Sequence, residues 1–318
     1  MKVLFIADRP ADLNPRADTT LYMLREVLRR DMAAYYAVPE RVYWSGTELL
    51  ADAEAVESCA KHALPVLGRR ERLSFAGGID AVFIRKDPPF DLDYISLCWL
   101  LTAYEEKVRM INRPSLLLRY HEKMPPYAAA AAGKLRADDV VPACLASRLE
   151  QITAFVEALD APRIILKPWL GYGGRGIRRV ARDEFLKAPG SFGLGKERWM
   201  VQPYLEAVER TGDRRGFFFN GRYCGSIVRM PKPGGFVSNL AQGGTAVKQE
   251  LSAKERALVA RIESWLKGSG IVFAGSDFID GRLSELNITS PTGFASYEEL
   301  YGGDPSAALI DAAFAERR

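Results

Sequence analysis

Two strand-forming runs, residues 163–168 (RIILKP) and 177–181 (IRRVA), flank the glycine loop Gly171-Tyr172-Gly173-Gly174-Arg175-Gly176. No other feature limits the fold as tightly. Dinucleotide-binding and phosphate-loop motifs run from a strand through their glycines into a helix, so a loop that returns to a second strand disfavours both. A glycine hairpin can still lay backbone N–H groups over phosphates, because absent side chains allow close approach and positive φ. An ordinary turn fits the same residues. Lys167, on the strand entering the loop, offers an ammonium to those phosphates; its plainer role is a snorkelling surface lysine.

Around this hairpin the pattern alternates. Residues 2–7, 79–85 and 110–112 read as buried strands, and residues 19–30 repeat apolar positions at helical spacing behind an Asp18 cap. A further helix is expected over 95–107. The tract MPPYAAAAAGK sets prolines ahead of an alanine run that closes on Gly133, the start and stop order of a helix. Strands are expected at 199–202, 216–219, 226–230, 272–279 and 283–287, with helices at 253–267 and 305–315. The opening segment therefore predicts an α/β lobe around a parallel sheet. Ligands of such a lobe bind beyond the C-terminal ends of its strands, here at the loops after Asp8 and Arg85.

The segment DFIDGRLSELN, residues 277–287, carries the most specific chemistry. A hairpin turning at Asp280-Gly281 brings Asp277 beside Glu285, while Glu285 and Asn287, two apart, share a strand face. Three oxygen ligands then converge, as suits Mg²⁺ completed by waters and phosphates. The competing reading is the polar face of an exposed hairpin. Arg215 and Arg229 adjoin predicted strands and could fork a carboxylate or acyl phosphate, although surface ion pairs would use them equally well.

Composition removes other classes. With 318 residues, 48% of them hydrophobic, the chain has material for two or three lobes. Its 44 basic and 40 acidic residues are interleaved, which speaks against a nucleic-acid surface. The basic run Arg175, Arg178, Arg179 and Arg182 reads as a solvated face. Four cysteines without CxxC spacing read as free thiols in a reducing compartment. The opening MKVLFIAD is too short for a secretory segment, and no stretch approaches the roughly 20 apolar residues of a membrane span, so a cytoplasmic protein is expected. Two histidines, His62 and His121, leave little from which to build a histidine metal site or a Ser-His-Asp triad.

Seven runs resemble, in order and spacing, their counterparts in prokaryotic glutathione synthetases of the ATP-grasp superfamily. They are IRKDPPFD (84–91), NRP (112–114), ILKPWLGYGG (165–174), QPYL (202–205), GDRR (212–215), NLAQGG (239–244) and GSDFIDGRLSELNITSPT (275–292). The resemblance implies an α/β (α+β ATP-grasp) protein, with an N-terminal parallel-sheet lobe over 1–122 followed by a two-lobed ATP-grasp module. That module has a central lid domain over 123–204 and a C-terminal metal-bearing domain over 205–318. By position Lys123 and Lys167 would contact ATP, Gly173 and Gly174 would cover its phosphates, and Gln202, Pro203, Tyr204 and Leu205 would form the adenine-side hinge. Asp213 would lie near the ribose. Asp277, Glu285 and Asn287 would hold Mg²⁺, with Mn²⁺ as a substitute. Asp18, Thr19 and Arg85 would lie near the peptide substrate, and the catalytic arginines Arg215 and Arg229, with Asn287, near the reacting carboxylate.

The implied reaction passes the γ-phosphoryl group to the carboxylate of γ-glutamylcysteine, and glycine's amine then attacks the acyl phosphate. Positioning and charge neutralisation carry such transfers. The loops 171–176 and 231–243 would close over the labile intermediate. Small peptide and amino-acid substrates, no membrane or nucleic-acid partner, and a homo-oligomer complete the expectation. Two departures stand out: Val237-Ser238 and Gly293-Phe294-Ala295-Ser296 occupy places where the family usually has an arginine. A ligase with a different donor or acceptor is therefore the first alternative, and an ATP-binding paralogue without activity the second.

Overall fold

The computed structural model describes residues 1–315, arranged on three sheets. The first lobe contains β1 (Lys2–Ala7), α1 (Thr19–Arg29), β2 (Ala33–Ala37), β3 (Val42–Ser45), β4 (Glu48–Ser58), β5 (Val66–Ser74), β6 (Ala81–Arg85), α2 (Leu92–Thr102), β7 (Arg109–Ile111) and α3 (Pro114–Arg119). Strands β2, β1, β6 and β7 are parallel neighbours, as the alternating pattern predicts. The sheet is wider than expected, because β4 pairs antiparallel with β2, β3 and β5. Charged residues dominate β5 and hide its strand character in the sequence: the strand lies at the sheet edge, where Arg72 meets Asp52 and Arg70 meets Glu54 across the ladder.

Caps set the helix starts. Asp18 accepts the Thr20 N–H at 2.7 Å and begins α1, burying Leu21, Leu24 and Val27. Asp91 does the same for Tyr94, so α2 begins at Leu92 and ends at Thr102 instead of spanning 95–107.

The second sheet holds β8 (Cys144–Ala146), β9 (Arg163–Pro168), β10 (Arg178–Ala181) and β11 (Trp199–Pro203), in the order β10-β9-β11-β8. Preceding it, α4 (Pro125–Ala131) packs on the third sheet, so the segment opening the expected 123–204 lobe lies outside the four-stranded sheet. Helices α5 (Leu149–Glu157) and α6 (Arg182–Lys187) pack on the second sheet around Ile152, Val156, Phe185 and Val201.

After α7 (Val208–Thr211), the third sheet comprises β12 (Asp213–Phe219), β13 (Arg222–Met230), β14 (Thr245–Val247), β15 (Phe273–Ile279) and β16 (Arg282–Asn287), ordered β14-β13-β12-β15-β16. Helix α8 (Ala253–Leu266) covers one face, and α9 (Phe294–Tyr301) and α10 (Ser306–Phe314) help cover the other. The run Phe217-Phe218-Phe219 explains how the lobes join. Strand alternation sends Phe218 into a core shared with Leu4 and Ile84 of the first lobe, and Phe217 and Phe219 into a second core with Phe5, Phe83 and Leu24. Each fully buried ring contributes on the order of 1.5–3 kcal/mol. The first and third lobes are thus fused through two cores, while the middle lobe keeps a core made only of residues between 144 and 201.

Candidate active site

A cavity of about 760 Å³ opens where the three lobes meet. One face of the third sheet forms its floor, and the ladder register builds that floor residue by residue. Asp213 on β12 pairs with Arg229 on β13, Arg215 with Asp277 on β15, and Asp277 with Glu285 on β16. Asn287, two residues beyond Glu285, continues the face and also lines the cavity. The expected turn occurs at Asp280 and Gly281, whose φ values of 48° and 65° suit a tight hairpin and place Asp277 opposite Glu285. Gly275 lies beneath the Arg215 side chain, where a Cβ would come within 3.3 Å of Arg215 Cδ and 3.0 Å of Pro291.

The floor is a row of alternating charge. Arg215 donates to both oxygens of Asp277 at 2.6 and 2.9 Å. Arg229 lies 2.8 Å from Asp277 and donates to Asp213 at 2.5 Å. Burial alone would raise the Asp277 carboxyl, but the two guanidinium groups hold it down to about 2. Asp213 has one guanidinium and an unpartnered buried Oδ1, and burial prevails there, pushing it up to about 6 against the pull of Arg229. Glu285 is held below the ordinary carboxylate range: burial opposes this, and Lys167 and Lys123 overcome it.

The middle lobe supplies the roof. On β9, Ile165 and Lys167 face the cavity while Ile164 and Leu166 enter the lobe's own core. Lys167 Nζ reaches Glu285 Oε1 at 3.2 Å, linking roof to floor. Gln202, Pro203, Tyr204 and Leu205 line one end, and Ile165, Tyr204 and Val208 pack there as a small apolar cluster with Ile279 beside them. Gly173 and Gly174 line the roof, both at positive φ.

Several expected residues lie elsewhere. Asp18 lines the wall, but Thr19 and Arg85 stand behind it. Thr19 Oγ1 accepts the N–H groups of Gly293 and Phe294 at 3.2 and 3.5 Å, and Arg85 donates to Thr20 Oγ1 and the Pro291 carbonyl, both at 3.2 Å. Both brace residues 291–294. Lys123 is buried beside the main cavity, donating to Glu122 at 2.8 Å and to the Gly171 carbonyl at 2.6 Å. In the basic run only Arg175 reaches the cavity; Arg178 stacks over Trp199, Arg179 over Tyr204, and Arg182 donates to the Val156 carbonyl.

The site also includes residues that sequence reasoning missed. Glu122 lines the cavity and accepts from Asn287 Nδ2 at 3.4 Å; burial, with Glu285 nearby, raises its carboxyl. Asp87 and Asp12 join the wall, and Asp87 accepts from Ser290 at 2.5 Å across the lobes. Asp87 falls inside the quoted IRKDPPFD run, whereas nothing local marks Glu122 or Asp12. Val237, Ser238, Ala295 and Ser296 all line the cavity and bring no charge to it.

Asp277, Glu285 and Asn287 offer hard oxygen donors from adjacent strands, and cationic side chains already neutralise both carboxylates. That donor set suits Mg²⁺. Among the described residues no three His, Cys, Asp or Glu side chains gather closely enough to hold a metal by themselves.

The "Prokaryotic glutathione synthetase, N-terminal domain" family model matches residues 1–118, and the "Prokaryotic glutathione synthetase, ATP-grasp domain" model matches residues 134–302. Glutathione synthetase of Bradyrhizobium diazoefficiens is 31% identical over 316 residues, covering 96% of this chain and 95% of that protein. The glutathione synthetase of Parasynechococcus marenigrum is 35% identical over 305 residues, with 94% of each covered. Among solved structures, D-cycloserine synthetase DcsG superposes with a TM-score of 0.66 at 17% identity, over 98% of both chains. The ATP-grasp ligase PsnB, complexed with a phosphomimetic precursor variant, Mg and ADP, superposes at 0.63 with 15% identity, over 99% of this chain and 97% of that one. These two share the fold.

Proposed function

The chain belongs to the prokaryotic glutathione synthetase family, and on that basis we propose that it joins γ-glutamylcysteine to glycine. It is an ATP-dependent ligase of the glutathione synthetase type. One observation carries the reading of its site: the row Arg229, Asp213, Arg215, Asp277 and Glu285 faces Lys167 across a single cavity.

In this reading Gln202 to Leu205 and the Ile165–Tyr204–Val208 cluster bind the base, and Asp213 meets the ribose. Lys167, Lys123 and the Gly173–Gly174 backbone hold the triphosphate. Asp277, Glu285 and Asn287 would hold Mg²⁺, or Mn²⁺ in its place. The γ-phosphoryl group that ATP supplies when bound converts the donor carboxylate to an acyl phosphate, whose phosphate the acceptor amine displaces. Arg215 and Arg229 would orient that carboxylate and neutralise the oxyanion formed when the amine attacks the acyl phosphate. Asp18 binds the peptide directly, while Thr19 and Arg85 act through the 291–294 segment they brace. The middle lobe, within 123–204, closes as the lid between the 1–122 and 205–318 lobes and excludes water. Family membership further supports small peptide and amino-acid substrates, a cytoplasmic setting and a homo-oligomer. Among the described residues no helix is long and apolar enough to cross a membrane.

A second reading changes the donor or the acceptor. The uncharged wall at Val237, Ser238, Ala295 and Ser296 favours it, because a desolvated carboxylate on the substrate gains no ion pair there. ADP release measured over a panel of donors and amines decides between the two. Turnover with γ-glutamylcysteine and glycine is expected, and silence with that pair beside turnover with another selects the second reading. Glu285→Ala is expected to abolish ADP release while leaving the folded far-UV spectrum unchanged. Retained activity in this variant would remove Glu285 from the metal shell.

A further inference from the structure

Two side chains from different lobes hold the glycine loop. Lys123 Nζ donates to the Gly171 carbonyl at 2.6 Å, and Gln242 Nε2, on the 231–244 loop of the third lobe, donates to the Gly173 carbonyl at 2.9 Å. Gln242 is exposed and does not line the cavity, whereas Gly173 and Gly174 do. A peptide unit is planar and trans, so its N–H points away from its C=O. With the Gly173 carbonyl turned out to Gln242, the Gly174 N–H turns to the opposite side of the loop. Positive φ at Gly173 and Gly174, 62° and 78°, makes that arrangement accessible. The two loops meet closely here: a Cβ on Gly174 would lie 3.0 Å from both Gln242 Nε2 and Val237 Cγ1.

We propose that Gln242 is a positioning residue that clasps the two loops together over the cavity. Its carboxamide fixes the Gly173–Gly174 peptide with the N–H available to phosphate oxygens, and the clasp keeps water from the activated carboxylate until the amine attacks. Water that enters hydrolyses the acyl phosphate, forming a C–O bond to the carbonyl carbon as phosphate leaves, so ATP is consumed without an amide being made. The activity part of this inference rests on the ligase reading; the loop contact stands apart from it.

The test uses the full chain and three variants. Gln242→Ala removes the donor, Gln242→Glu keeps the shape but offers the carbonyl no N–H, and Gln242→Lys supplies a new donor of similar reach. With Mg²⁺ and a non-hydrolysable ATP analogue, chymotrypsin cleavage after Tyr172 is expected to be several-fold faster in the Ala and Glu variants and near wild type in the Lys variant. With substrates, the first two are expected to release several ADP per amide formed, with a raised KM for ATP and little change in kcat for ADP release. Wild-type cleavage rates in the Ala and Glu variants would overturn the clasp, as would faster cleavage with unchanged coupling and KM. A wild-type protein that releases no ADP with any donor and amine counts against the ligase reading, and the cleavage comparison then decides the clasp alone.

Discussion

Asp277 carries three ionic contacts at once, two from Arg215 and one from Arg229, and it must be deprotonated to keep them. Its folded pKa of about 2 lies below the unfolded value of roughly 3.9, so it contributes stability above the unfolded pKa, which is lost as pH falls through the window down to about 2. Asp277→Asn is therefore expected to melt below wild type at pH 6, with the gap in Tm closing as pH approaches 2. A gap independent of pH would show that the ion pairs add nothing beyond packing. Asp213, raised to about 6, works in the opposite sense. At this scale the sequence is informative where chemistry is local. The two-residue period and the Asp-Gly turn bring Asp277, Glu285 and Asn287 onto one face without any knowledge of the rest of the fold. Glu122 is invisible for the opposite reason: it accepts from Leu286 and Asn287 some 160 residues away in the chain, and burial with Glu285 nearby makes its carboxylate unusual.

Between elements, Asn112 at the end of β7 shows how much one buried amide can join. Its Nδ2 donates to the Phe273 and Ile288 carbonyls, both at 2.6 Å, and its Oδ1 accepts from Val272 and Phe273 N–H at 2.9 and 3.0 Å. All the hydrogen-bonding capacity of the side chain is spent tying the first sheet to the third. Asn112→Ala leaves several buried backbone groups unpartnered and is expected to lower unfolding stability by roughly 2–5 kcal/mol, measured by urea denaturation. A loss under about 1 kcal/mol would mean water replaces the amide. The residues 112–114 mark a strand end in the sequence, but the partner of that strand end cannot be read there, because nothing in NRP encodes an association across 160 residues. Strands inside hydrophobic runs, such as β9 and β15, are legible. Strand β5 is not, since cross-strand ion pairs replace the apolar alternation that would have announced it.

For the molecule as a whole, two shared cores fuse the first and third lobes and a separate core serves the middle one. Contacts that bind the middle lobe to the rest are the polar links of Lys167 to Glu285 and Gln242 to Gly173 and the small apolar cluster of Ile165, Tyr204 and Val208 with Ile279, with no large core shared across the boundary. Binding an ATP analogue with Mg²⁺ is therefore expected to slow amide hydrogen exchange in β9 to β11 and in the glycine loop, while leaving β1, β6 and β12 unchanged. Equal slowing in all three sheets would indicate a rigid body with no moving lid. The alternation of strands and helices reveals the lobes, but it does not reveal that α4 belongs to the third sheet, since its alanines pack equally well anywhere. The phenylalanine triplet of β12 has one more implication, for anyone wishing to dissect the chain. A truncation that discarded the first 118 residues would strip Leu4 and Ile84 from one core and Phe5, Phe83 and Leu24 from the other, leaving both faces of this central strand only partly covered, so the remaining segment is expected to fold poorly as a free-standing module. The split between the two matched regions follows chain order, not a seam between separate cores.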